Sequence, residues 1–126
     1  MTVAAATIHF RLYPGATFTG SLQLLDPNDE PIDLTGCSAL MHIRREIYDP
    51  APLLTLTTAD GSIVLGGVTG TIDLALPPDA ATSLPISWDG ESWVHDLLMT
   101  QTMASPAFVE RTFQGTVAVL PGVTRT

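Results

Sequence analysis

Along most of this chain apolar and polar positions alternate one by one, the period of a strand with one buried face. In residues 16–25, Phe18, Gly20, Leu22 and Leu24 fall on one side, and Thr17, Thr19, Ser21 and Gln23 on the other. In residues 36–47, Cys37, Ala39, Met41 and Ile43 share a face, with Ser38, His42 and Arg44 opposite. Residues 71–76 turn Ile72, Leu74 and Leu76 inward. Shorter strands are predicted at 53–57 and 62–65, and longer ones at 92–100 and 107–120.

Turn chemistry separates these runs. Asp26-Pro-Asn-Asp-Glu-Pro31, Asp49-Pro-Ala-Pro52, Ala59-Asp-Gly61, Gly66-Gly67 and Trp88-Asp-Gly90 each join residues that set turn angles. The one helix candidate is 77–84, with prolines early and Asp79 in the first turn, enough for one or two turns. About eight short strands with Gly/Pro turns predict a single antiparallel sandwich or barrel spanning 1–126, with at most one short helix. A doubly wound sheet is excluded, because it needs a helix between strands. The predicted core is Phe18, Leu22, Leu24, Met41, Ile43, Ile72, Leu74, Leu97, Phe113, Val117 and Val119. Residues 1–6 have no core pattern and are expected to be flexible, or to become ordered on assembly.

Composition narrows the function classes. Hydrophobic residues make up 45% of the chain and charged ones 14%, well below the roughly 25% usual for soluble domains. Such a surface is expected to be partly covered by a partner. Net charge is −8 and there is no lysine; the cations are Arg11, Arg44, Arg45, Arg111 and Arg125. Without a basic face, binding to nucleic acid or to anionic membrane is disfavoured. The start of the chain lacks the basic region of a secretory leader, and no apolar run reaches the ~20 residues of a membrane helix. Cys37 is the one cysteine and reads as a small buried hydrophobe, in keeping with a reducing cytosol.

No residue set points to catalysis, a metal or another cofactor, so the chain is read as a non-enzyme. His9, His42 and His95 show no metal-ligand spacing on one element, and His95 and Asp96 are expected on opposite faces of their strand. The acidic turn Asp26, Asn28, Glu30 has Pro31 and Cys37 where a calcium loop needs Gly and Glu. No nucleophile elbow or phosphate loop is present. Trp88 and Trp93 flank a tight turn, where an exposed ring would suit a sugar or a protein partner. With Arg44, Arg45 and Arg111, whose guanidinium groups make bidentate pairs, they form the candidate interface.

Four segments and the chain's last stretch, in order, resemble a family of small bacteriophage virion proteins: the amino-terminal domain of phage baseplate upper proteins and related tail-associated proteins. Gly15-Ala-Thr-Phe-Thr-Gly-Ser-Leu-Gln-Leu24 resembles the family's first long strand. Asn28-Asp-Glu-Pro-Ile-Asp-Leu-Thr-Gly36 resembles its polar turn leading to the strand that ends in Ile43-Arg44. Ile72-Asp-Leu-Ala-Leu76 resembles its G-x-I-x-L-x-L strand. Trp93-Val-His-Asp-Leu97 is similar to its aromatic-x-Tyr-Asp-Leu strand, with His95 in place of Tyr. Gly115-Thr-Val-Ala-Val-Leu-Pro-Gly-Val-Thr-Arg125 resembles its closing strand.

The resemblance implies an immunoglobulin-like β-sandwich and a structural role in the virion, with no catalytic residues. Baseplate upper proteins continue into fibre or receptor-binding parts, whereas this sequence closes after one domain. The expectation is therefore a tail, neck or baseplate adaptor or a fibre anchor, made in the bacterial host cytoplasm. Its partners would be other virion proteins or further copies of itself. A capsid decoration protein, or a carbohydrate-binding module using Trp88 or Trp93, is the alternative.

Overall fold

The computed structural model describes residues 6–80, 84, 90–101 and 108–120. Their strands are β1 Ala6–Thr7, β2 Phe10–Leu12, β3 Phe18–Gln23, β4 Cys37–Arg44, β5 Leu54–Thr57, β6 Ile63–Leu65, β7 Thr71–Leu76, β8 Glu91–Gln101 and β9 Phe108–Val119. The helical turn among them is a 3₁₀ segment, Gly67–Thr69, where the sequence suggests a turn. The helix expected at 77–84 lies partly outside the described residues; Pro78 to Ala80 form a turn, with the Ala80 N–H on the Pro77 carbonyl.

The chain is an all-β sandwich. One sheet has six strands in the order β1-β9-β8-β4-β5, with β2 also alongside β9; the other has the order β3-β7-β6. The pairing is mainly antiparallel, as expected, with parallel pairing at one edge. The amino-terminal segment joins the larger sheet as β1 and β2, both parallel to β9. Their residues show little alternation, because β1 is exposed at both positions and β2 is only three residues long. Ala6, assigned to a flexible stretch, is the first residue of β1, while 1–5 lie outside the described residues.

Alternation becomes burial as the period-two pattern requires. In β7, Ile72, Leu74 and Leu76 are buried and Asp73 and Ala75 exposed. Met41, Ile43, Leu97, Phe113, Val117 and Val119 are also buried, and Phe18, Leu22 and Leu24 pack against them half-buried. The core further takes in Leu12, Leu34, Leu56, Ile63 and Trp93.

A β-bulge decides which residues β9 turns outward. Leu97 pairs with Phe113, but Leu98 pairs with Arg111, so Thr112 is the extra residue. Strict alternation from Phe113 would send Arg111 into the core. The bulge resets the parity and leaves Arg111 on the outer face.

Candidate functional site

The outer face of the larger sheet holds an open cleft of about 420 Å³. Its floor is built from outward positions of three neighbouring strands. His42 and Arg44 come from β4, Val94 and Asp96 from β8, and Gln114 and Thr116 from β9. The register brings them together: His42 lies opposite Asp96, which in turn lies opposite Gln114. Thr7 and His9 border it from the amino-terminal segment, Ile47 from the turn after β4, and Arg111 from beyond the bulge.

The polar contacts leave this cleft rich in donors. Arg111 forms an ion pair with Asp96, Nε to Oδ2 at 3.3 Å, and its Nη1 donates to Gln114 Oε1 at 3.4 Å. Arg44 Nη1 donates to the Asp49 carbonyl at 2.9 Å, and Nη2 to His42 Nδ1 at 3.2 Å. A guanidinium can only donate, so His42 Nδ1 accepts and the ring proton sits on Nε2. His9 follows the same logic. Its Nδ1 accepts from the Thr116 backbone N–H at 3.4 Å and stands 2.7 Å from Thr116 Oγ1, which leaves Nε2–H.

His95 lies beneath the cleft, turned to the core with 4% exposure, while Asp96 faces outward, as expected for neighbours in a strand. Its ring packs between Phe10 and Phe113, with centroids 5.0 and 5.7 Å away. Burial pushes its pKa below the ordinary 6.5, opposed by the hydrogen bond to the Ile8 carbonyl and by the charge of Asp96. Burial, with help from Asp33, raises the Cys37 thiol; its sulfur accepts from Gln101 Nε2.

The candidate interface residues separate. Arg44 and Arg111 both reach the cleft. Arg45 instead forms an ion pair with Glu91 Oε2 at 3.5 Å. Trp93 is corrected: it is fully buried, with its indole N–H on Glu91 Oε2 at 3.1 Å, and offers no face to a sugar or partner. The alternation that sends Leu97 inward also sends Trp93 inward. Trp88 lies outside the described residues.

His9, Asp96 and Thr116 were not foreseen at this site, because nothing local links residues this far apart. The placement of His42 with Arg44 on one face was legible. Among the described residues, no three His, Cys, Asp or Glu side chains are grouped to hold a metal. The acidic turn is closed by its own backbone, with Asp26 Oδ1 accepting from the Asn28 and Glu30 N–H groups. No family model matches the chain, and no curated protein matches it.

Proposed function

We propose that this chain is a non-catalytic building block of a bacteriophage virion, a tail, neck or baseplate adaptor or fibre anchor that works through protein–protein contacts. The observation that supports the reading best is the margin of the smaller sheet. Strand β3, Phe18–Gln23, pairs with β7 on one side and with no other strand among the described residues. It has no charged residue and no proline. Edge strands normally guard their unpaired N–H and C=O groups with charge, proline or shortness, and a six-residue uncharged edge does none of these. Pairing or covering by a neighbour in an assembly removes that liability. The ordered likeness to tail-associated sandwich proteins points to the same class, and burial of Trp93 weighs against a sugar-binding module.

The test is peptide mass spectrometry of purified particles, followed by hydrogen exchange of the free and assembled chain. The expected result is that the chain is present and that residues 18–23 gain protection on assembly. Absence from the particle, or equal protection of that strand in both states, overturns the reading.

A further inference from the structure

The cleft on the larger sheet gathers arginine, histidine and amide groups at one place. The chain has net charge −8 and five arginines, yet two of these, Arg44 and Arg111, converge here against one carboxylate, Asp96. Ring and amide N–H groups add donors. His9 and His42 each keep a proton on Nε2, and Gln114 accepts from Arg111 through Oε1, so its amide N–H groups remain available. Arg111 pairs with Asp96 through Nε and with Gln114 through Nη1, and its Nη2 makes no hydrogen bond to the described residues. A site that offers donors and positive charge selects an acceptor with negative charge, and arginine favours planar carboxylates.

We propose that this cleft receives the carboxylates of an acidic segment from a partner protein. The surroundings favour a polypeptide over a small anion. Ile47 at the rim is 72% exposed and Tyr48 beside it 95% exposed. One step along the strands from the His42–Asp96 pair, Leu40 lies opposite Leu98, and Leu40 and the outward Val109 are both exposed. An extended segment that places an Asp or Glu in the cleft would lay its apolar neighbours on these positions. Asp49, whose carbonyl accepts from Arg44, and Glu46 on the same turn lie close by and oppose an incoming anion, whereas acidic groups beyond roughly 8 Å are screened at physiological salt. This inference rests on the assembly reading only in treating the outer face as a contact surface.

The experiment titrates the purified chain with acetylated, amidated hexaglutamate at about 0.15 M salt, near physiological ionic strength. Calorimetry and amide chemical shifts provide the readouts. Hexaglutamine, sodium glucuronate and inorganic phosphate are the comparison ligands. Saturable binding of hexaglutamate is expected, with shifts centred on residues 42–47, 94–96 and 114–116. Hexaglutamine should not bind, and both small anions should bind more weakly than the peptide. Arg111→Gln, at an exposed position, should weaken the peptide about tenfold, as expected for a lost charge-assisted bond. Arg44→Gln should do the same, with amide spectra checking the turn at Asp49. Failure of hexaglutamate to bind, unchanged affinity in both variants, or tighter binding of phosphate or glucuronate overturns the proposal. A chain absent from particles that still binds the peptide defeats the virion reading and leaves the cleft assignment standing.

Discussion

His95 Nε2 donates a hydrogen bond to the Ile8 carbonyl oxygen at 2.7 Å and ties the amino-terminal segment to the body of the sandwich. Ile8 sits where the parallel ladder to β9 is interrupted, between β1 and β2. Its carbonyl would otherwise be left without a strand partner near the core, a costly state. The bond places the proton on Nε2 and leaves Nδ1 buried with no hydrogen-bond partner among the described residues. Protonating Nδ1 would bury a positive charge.

Stability should therefore depend on pH near neutrality. The folded-state pKa of His95 lies below the ordinary 6.5, so above that pH neither state is charged and its full contribution is present. As pH falls below about 6.5, the unfolded chain takes up a proton that the folded chain resists, and stability is lost until the folded pKa is passed. Denaturant midpoints measured from pH 8 to pH 5 should fall below about 6.5 in the native chain. The fall should be smaller in His95→Phe, and an equal fall would assign the effect to other groups.

Gly115 lies opposite His95 in the ladder, and the approach of Ile8 depends on its missing side chain. A Cβ there would stand 1.9 Å from the Ile8 oxygen and 3.2 Å from His95 Nε2. Since the first contact is with backbone, Gly115→Ala should push the amino-terminal segment off β9. A loss of about 2–3 kcal/mol is expected, at the upper end of ordinary substitutions. Hydrogen exchange gives the local check: the Ile8 amide, bonded to the Gln114 carbonyl at 2.8 Å, should lose its protection.

Phe113 is 1% exposed and touches both Phe10 and His95. Phe113→Ala should cost about 3–5 kcal/mol in equilibrium unfolding, through lost burial and the cavity left behind. A loss below about 1 kcal/mol would mean that the ring is not in the core.

The Arg111–Asp96 pair should behave differently. Its side chains are 54% and 38% exposed, so solvent screens the attraction. Arg111→Gln should change stability by no more than about 1 kcal/mol. Binding and stability thus separate at this residue, and a large stability loss would show that the bulge depends on the ion pair.

Much of this protein is legible in local alternation. Strand β7 was read to its residue limits, and β4, β8 and β9 to within a few residues, because a buried face imposes its period wherever the chain runs extended. The same parity places His42 with Arg44 and turns Trp93 to the core. Partners are a different matter. That β1 and β2 run parallel beside β9 depends on hydrogen bonds to a strand more than 100 positions away, for which β1 has no burial pattern to speak. That Arg111 faces the cleft depends on one extra residue, Thr112, in β9, and a bulge leaves no local mark in an alternating sequence. The meeting of His9, His42, Asp96 and Arg111 follows only once sheet order and register are set. Alternation determines which residues face inward along a strand; the sheet's hydrogen bonds determine which outward residues become neighbours.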